Sequence, residues 1–453
     1  MFEAVPTILE TFLFGRSIER RYRFAPLIKP GLVRRVQQAE LQQTVRWAAQ
    51  RSRFYRERFQ ALGIDVRGVR RPEDLGDFYT TSADLRARET EDFVCDTAQA
   101  GFETTGTTAR NKRVYFSNEE IRDIGFEGAV GLWNLGLRPE DRVVDAFDYA
   151  FWNAGITLQH SLIAIGCFHV IGSKLPPEDF YERVRDYKFN VLIVDTAWLV
   201  SLTEIAEQRG TWPVKFILSG SENMAEATRD WIQRVWRTKV YQAYGQTESL
   251  GASGVECPAQ SGYHLNEVNF QFEILNPNAD GYGELVFTTL TRKVMPLIRY
   301  RSNDITRFTE EPCGCRLNCM RRIGKIVGRG DEIVSCGMGM ISPWIFETWL
   351  GGAAGLSDDW QVAVTQPGTR DVLELRLEIQ PGTDPEALRA DLLRRLEAQF
   401  PYYHKNLHMG LYELRFRMLP RGELRPSGPR RKLRRVVDER VPAAAGAGVS
   451  IRD

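Results

Sequence analysis

From about residue 100 the chain alternates short apolar runs with helical patterns, and this alternation restricts it to layered α/β architectures. The candidate strands are Arg142 to Phe147, Phe168 to Gly172, Val191 to Asp195, Phe216 to Ser219, Val240 to Ala243 and Glu284 to Thr288. Helical segments such as Glu178 to Tyr187 and Met224 to Val235 lie between them. Strand–helix order of this kind predicts a largely parallel sheet clothed by helices. Upstream, residues 36 to 62 read as one amphipathic helix, with Leu41, Val45, Ala48, Ser52, Tyr55, Phe59 and Leu62 at steps of four and three. After about residue 330 the pattern resets. Asp371 to Ile379 and Glu413 to Leu419 alternate as strands, and Asp384 with Pro385 opens a helix to about Phe400. With 453 residues the chain exceeds one ordinary core. The expected fold class is α/β: a large multi-layer α/β N-terminal domain over 1–329 and a smaller α+β C-terminal domain over 330–453. The joint is expected near Gly328-Arg329-Gly330-Asp331.

Charge and composition narrow the function classes. The net charge is +1, so the chain as a whole offers no electrostatic argument for nucleic acid or an anionic membrane. The basic run Arg425 to Arg435 could suggest nucleic acid by itself, but the remainder is charge-balanced. Met1 to Arg16 carries Glu3 and Glu10 where a secretory signal needs an apolar core. Ala150 to Gly172 is apolar yet contains Asn153, Gln159, His160 and His169, so it reads as buried core and not as a membrane span. A cytoplasmic enzyme, monomer or homodimer, with neither nucleic acid nor membrane as partner, is the expectation.

Residues 103 to 113 read Glu-Thr-Thr-Gly-Thr-Thr-Ala-Arg-Asn-Lys-Arg. Phosphate oxygens need many donors at close range. Thr104, Thr105, Thr107 and Thr108 supply hydroxyls, Gly106 lets the backbone approach, and Lys112 adds charge. The Gly-Lys-Ser/Thr ending of a Walker loop is absent. Three further stretches follow in order: Ser219-Gly220-Ser221-Glu222 after a strand, Tyr241-Gln-Ala243-Tyr244-Gly245-Gln-Thr247-Glu248 after another, and Met295-Pro-Leu-Ile-Arg299-Tyr300-Arg301-Ser-Asn-Asp304. An aromatic face suits a base, a hydroxyl suits a phosphoryl oxygen, and a carboxylate suits a hard cation. The last motif is Arg430-Arg431-Lys432-Leu-Arg434-Arg435.

Taken together, in this order and over about residues 40 to 440, these motifs resemble the acyl-adenylate-forming (AMP-dependent synthetase and ligase) superfamily, in its phenylacetate–CoA ligase-like branch. The resemblance implies that Thr104 to Lys112 cradles the phosphates of ATP. It implies that Tyr244, flanked by Ala243 and Gly245, lies against adenine, that Thr247 contacts the α-phosphate, and that Glu248 helps hold Mg²⁺. Ser219, Gly220, Ser221 and Glu222 would line adenine and the acyl pocket. Asp304 and Arg329 would take the ribose hydroxyls, with Asp331 at a hinge. Lys432 matches a lysine that the small mobile domain brings to the reacting carboxylate and α-phosphate. Arg299 and Arg301 are balanced between ligand contact and pairing with surface carboxylates. Asp148 to Gly155 lies where the branch places an aryl-acid pocket, with Tyr149, Trp152 and Gly155 at matching positions. Asn153 is read as a hydrogen-bond partner for a ring amino or hydroxyl group, and Phe151 as core.

Cys257, His264, Cys313 and Cys315 form a candidate structural zinc site, since thiolates and an imidazole suit tetrahedral Zn²⁺. Cys319 is a spare ligand, and Cys95, Cys167 and Cys336 read as core or incidental. Two departures from the branch stand out. Ala109 replaces a second glycine in the phosphate loop, and Cys336-Gly337-Met338-Gly339-Met340 replaces a loop that normally carries arginine and asparagine and shapes thioester formation. The expected reaction is ATP-dependent activation of a carboxylic acid, aromatic by preference, to an acyl-AMP. Transfer to a thiol follows, with CoA first. A carrier protein or an amine-type nucleophile in specialised metabolite biosynthesis is the alternative acceptor. A non-catalytic nucleotide-binding scaffold is the alternative to catalysis.

Overall fold

A computed structural model describes residues 17–104, 111–147, 149, 151–173, 175–221, 224, 226–311, 313–330, 334–367, 370–424 and 433–440. The chain divides into two compact units: Met1–Met224 with Thr228–Ile326, and Ala225–Ala227 with Val327–Asp453.

In the first unit a hairpin comes early. Its strands, β1 (Ala100–Glu103) and β2 (Arg113–Phe116), pair antiparallel with Glu103 opposite Arg113. The main sheet follows. Strands β3 (Arg142–Asp145), β4 (Phe168–Ile171), β5 (Val191–Asp195), β6 (Phe216–Gly220) and β7 (Lys239–Gln246) are parallel, in spatial order β7-β6-β5-β3-β4. Every residue of β5 and β6 is buried, as expected of parallel strands covered on both faces. The connecting helices start on sequence signals. Asp195 caps Thr196–Arg209 by accepting from the Trp198 amide at 2.8 Å, and Ser117 with Glu120 forms a capping box on Asn118–Asn134.

Pairing reverses at β7. Strand β8 (Gly251–Val255) runs antiparallel to it, and β9 (Tyr263–Leu265) antiparallel to β8. Strands β10 (Phe270–Leu275), β11 (Gly283–Thr289) and β12 (Tyr300–Thr306) form a separate antiparallel ladder. The chain then returns through β13 (Phe308–Thr309) and β14 (Arg322–Ile323), which extends the main sheet beyond β9. A core of Leu41, Val45, Phe54, Tyr55, Phe270, Phe287 and Tyr300 joins the N-terminal helices to the second ladder.

The expected long helix is two helices, Pro30–Arg51 and Arg53–Ala61. Ser52 lies between them with extended backbone, and its hydroxyl accepts from the Tyr55 amide and donates to the Asp92 carbonyl at 2.7 Å. A buried serine thus ends one helix and caps the next while the apolar spacing runs on.

The second unit has a mixed sheet. Leu356–Thr365 pairs antiparallel with Asp371–Ile379, while Tyr412–Leu419 and Val436–Asp438 add parallel strands on either side. Helix Pro385–Gln399 is capped by Asp384, and Leu388, Leu392 and Leu396 pack into a core with Trp349, Leu373 and Leu375. Among the described residues no helix is long and apolar enough to cross a membrane.

Candidate active site

The segment expected to bind phosphate is flanked by paired stems. Beyond the Glu103–Arg113 pair, the Thr104 amide donates to the Lys112 carbonyl at 3.0 Å and the Lys112 amide donates to Oγ1 of Thr104 at 3.3 Å. Thr105, Gly106, Thr107 and Thr108 lie outside the described residues, as does Ala109.

Lys112 ends one stem and turns inward, buried, to form an ion pair with Glu248. Its ammonium also donates to Ser82 Oγ at 3.0 Å and to the Tyr300 hydroxyl at 3.2 Å. Tyr300 in turn donates to Glu248 Oε1 at 2.7 Å. Glu248 is 2% exposed. Burial by itself pushes its carboxyl up, but the Lys112 charge and the hydrogen bonds from Lys112 and Tyr300 outweigh that and hold it below the usual carboxylate range. The site therefore keeps a buried carboxylate ionised, which is what a hard cation requires. Arg292 is fully buried behind it and donates to the Glu248 carbonyl at 2.7 Å; desolvation lowers this guanidinium to about 10.

The turn that carries Glu248 is a product of its sequence. A register shift between Tyr244 and Gly245 leaves Ser253 of β8 as an extra residue before the ladder resumes at Gly245 opposite Ala252. A side chain on Gly245 would bring Cβ to 2.1 Å from the Gly251 carbonyl oxygen, so only glycine fits. Leu250 and Gly251 both take positive φ, 61° and 88°, closing the turn tightly. A leucine there is strained, a pattern common at functional sites. Ser249 Oγ donates to the Gln246 and Gly251 carbonyls at 2.9 and 2.7 Å.

Two residues distant in sequence meet at the end of β7. The Tyr244 hydroxyl donates to Asp304 Oδ2 at 2.7 Å and accepts from Gln246 Nε2 at 3.2 Å. Burial and the neighbouring Asp304 charge raise the Tyr244 phenol well above its usual range, so it stays a donor. On β6, Ser219 is buried against Thr196 Oγ1 at 2.9 Å, Gly220 is buried, and Ser221 is exposed at φ 74°. Ala243 is half-buried on β7. Glu222 lies outside the described residues.

The expected acyl-pocket residues follow β3. Tyr149 donates to buried Asp145, whose carboxyl is raised by desolvation to about 6. The Tyr149 ring packs against Gly155, where a Cβ would lie 2.6 Å from it. Trp152 is half-buried and Asn153 buried, its Nδ2 donating to the Thr247 carbonyl at 2.8 Å. Phe151, expected in the core, is 67% exposed. The reason is local: its backbone carbonyl accepts from the Glu103 amide at 2.9 Å, which ties the chain to the β1 stem and leaves the ring outside. Arg299 and Arg301 both have carboxylate partners. Arg299 pairs with Glu273 at 2.9 Å and stacks on Tyr79, and Arg301 pairs with Glu284 at 2.6 Å. Arg329 lies in the second unit, and Lys432 and Asp331 are outside the described residues.

The sequence reading missed Ser82, Tyr300, Arg292 and Asp145. Tyr300 stood between two arginines that drew the attention, and an aromatic hydroxyl facing a buried carboxylate leaves no periodic signal.

Cys257, His264, Cys313 and Cys315 converge, with all four candidate ligand atoms within 4.8 Å of one another. Cys257 Sγ lies 3.4 Å from Cys313 Sγ, and Cys315 Sγ lies 3.2 Å from His264 Nε2. Hydrogen bonding from Cys315 pulls the Cys257 thiol well down, and the same contact pushes Cys315 up. His264 Nδ1 is buried with no partner among the described residues, so the engaged nitrogen is the one facing the thiols. Cys319 is buried outside this group, with its thiol raised to about 11 by desolvation. A cleft of about 530 Å³ lined by His264, Cys313 and Cys319 opens beside the cluster and gives an ion a way in.

The chain is similar to known proteins. The family described as AMP-binding enzyme matches residues 102–278, from the phosphate-loop hairpin through β10. Over 436 residues the chain is 28% identical to the phenylacetate-coenzyme A ligase of Thermus thermophilus, spanning 90% of this chain and 97% of that enzyme. Over most of its length the chain resembles the phenylacetate–CoA ligase-like branch of the acyl-adenylate-forming superfamily. The Escherichia coli phenylacetate-coenzyme A ligase is 27% identical over 369 residues, 77% of this chain and 83% of that one. Among solved structures, 2-hydroxyisobutyryl-CoA ligase in its postadenylation state matches with a TM-score of 0.72 over 89% of each chain, at 20% identity, a likeness of fold. The AMP-binding match and these relatives support an AMP-forming CoA ligase. The β1–β2 stems, the β7 turn and Asp304 are the parts brought together in the described first unit.

Proposed function

We propose that this ligase uses MgATP to convert a carboxylic acid, aromatic by preference, to an acyl-adenylate and then passes the acyl group to CoA. One observation carries the reading: the end of β7 presents a buried aromatic hydroxyl bonded to Asp304 beside a buried carboxylate, Glu248, that is kept ionised by Lys112. In the first step a carboxylate oxygen of the acid attacks the α-phosphorus, the bond to the β-phosphate breaks, and pyrophosphate leaves. Thr247 and the phosphate loop, Thr104 to Thr108 with Lys112, are assigned to the phosphates, and Tyr244, Asp304 and Arg329 to the nucleoside. Lys432 is assigned by resemblance to charge developing between the carboxylate and the α-phosphate. Glu248 would hold Mg²⁺, which supplies charge neutralisation on the phosphates. In the second step the thiol sulfur attacks the acyl carbon, the bond to the phosphate oxygen breaks, AMP leaves, and the thiol proton passes to solvent.

The aromatic preference is supported by the half-buried faces of Tyr149 and Trp152, the Tyr149 ring being seated against Gly155. The cluster of Cys257, His264, Cys313 and Cys315 fits a tetrahedral Zn²⁺ in donor type and spacing, and we assign it a structural role.

Acid-dependent ATP–pyrophosphate exchange across a panel of aryl and alkyl acids tests the first step, and thioester formation on adding CoA tests the second. Exchange with aryl acids followed by CoA thioester is expected. Exchange without thioester would redirect the acceptor to a carrier thiol or an amine. Intact nucleotide binding without exchange for any acid would leave a scaffold.

A further inference from the structure

Asn153 occupies the N-cap of helix Ala154–Ile165, yet its side chain makes no capping bond to that helix. An asparagine at this position ordinarily accepts from the second or third amide of the helix, a contact worth about 1 kcal/mol. Here the side chain is buried, 3% exposed, and its Nδ2 donates 2.8 Å to the carbonyl of Thr247. That oxygen also accepts the Leu250 amide at 3.0 Å, so both of its lone pairs are taken. It belongs to the peptide joining Thr247 to Glu248. The same helix turn grips the far end of the β7 turn. Thr157 Oγ1 donates to the Asn153 carbonyl at 2.8 Å and lies where a Cβ on Gly251 would come to 2.6 Å. The next carbonyl, that of Glu248, is held from the opposite side by Arg292.

We infer that Asn153 is a positioning residue for adenylation: it fixes the Thr247–Glu248 peptide and thereby aims the Thr247 hydroxyl and the Glu248 carboxylate. Its amide nitrogen is committed to a backbone carbonyl, so the contact the structure shows for Asn153 is to the Thr247–Glu248 peptide, and a contact to the acid's ring is the competing role that the test separates. The inference rests on the adenylation reading above. It also means that the stretch bearing Tyr149, Trp152 and Gly155 is bonded through one side chain to the residues assigned to the α-phosphate and Mg²⁺. Preorganisation of this kind acts on turnover for every acid alike, since a small misplacement of the charged groups affects the transition state common to all of them.

The test is exchange kinetics on Asn153→Asp and Asn153→Ala with benzoate-type acids that carry or lack a ring amino or hydroxyl group. Asn153→Asp keeps the shape and sets an acceptor against an acceptor; Asn153→Ala removes the contact. We expect kcat for exchange to fall about 10- to 100-fold for every acid, with KM for the acid within about threefold and the apparent Mg²⁺ requirement raised. A conservative Asn153→Ser, which keeps a donor, recovers part of kcat. A loss that appears in KM and only for amino- or hydroxy-substituted acids would overturn the inference in favour of a ring contact. Folded variants with kcat within twofold of wild type would overturn it as well. Wild-type protein that exchanges with no acid would instead mark failure of the adenylation reading.

Discussion

At the residue scale the site is organised by buried partners more than by exposed ligand groups. Lys112 and Glu248 are each nearly out of solvent, and each is the other's counter-charge. Removing one partner leaves the other ionised and unpaired, at a cost of about 3–5 kcal/mol. Lys112→Met and Glu248→Gln are therefore each expected to shift the denaturant midpoint strongly, while the double variant loses less than the sum by about 1–3 kcal/mol. Additive losses in a denaturant double-mutant cycle would show that the pair is not coupled in solution. The individual residues here were legible in the sequence; their pairings were not. Tyr244 and Asp304 stood out separately, but they are 60 positions apart and meet only because β7 and β12 belong to different ladders that approach at this point. The polarity of Asn153 is plain in the sequence, but its bond to the Thr247 carbonyl, 94 positions away, is not.

At the scale of elements the parallel half of the main sheet was readable and the antiparallel half was not. β5 opens with Val-Leu-Ile-Val and β6 with Phe-Ile-Leu, apolar runs buried throughout, so hydrophobicity located them closely. β8 reads Gly-Ala-Ser-Gly-Val and β9 Tyr-His-Leu, too short and too poor in apolar residues to give a period of two. Their place is set by pairing with β7 and β14, which no local pattern encodes. The cysteine cluster sits at this weakly patterned edge: β9 carries His264, Cys257 follows β8, and Cys313 and Cys315 lie between β13 and β14. A metal there would join segments that have little sequence-encoded strand preference of their own. Purified protein is accordingly expected to carry near one zinc per chain, and stripping it with a chelator should lower Tm, with zinc return restoring it. Cys315→Ser should lose the metal. Zinc-free protein with an unaltered Tm would remove the structural role.

At the scale of the whole molecule each unit has an apolar core of its own. The second unit packs Trp349, Phe346, Leu373, Leu375, Leu392 and Leu396 entirely from its own residues. A chain of residues 327–453 expressed alone is therefore expected to unfold in one cooperative transition by thermal circular dichroism. A broad, non-cooperative melt would show that this core needs the first unit. The alternation of strands and helices foretold two differently textured regions, since a parallel α/β layer and a small mixed sheet have different apolar periods. The β1–β2 hairpin bears on how such a chain diversifies. Its rungs reach Thr104 and Lys112, so the ends of segment 105–110 are set by strand pairing and not by what the segment contains. The pairing that fixes those ends makes no demand on which side chains lie between them, so the segment's sequence can be exchanged at constant length, as an interchangeable cassette, while the stems are inherited unchanged.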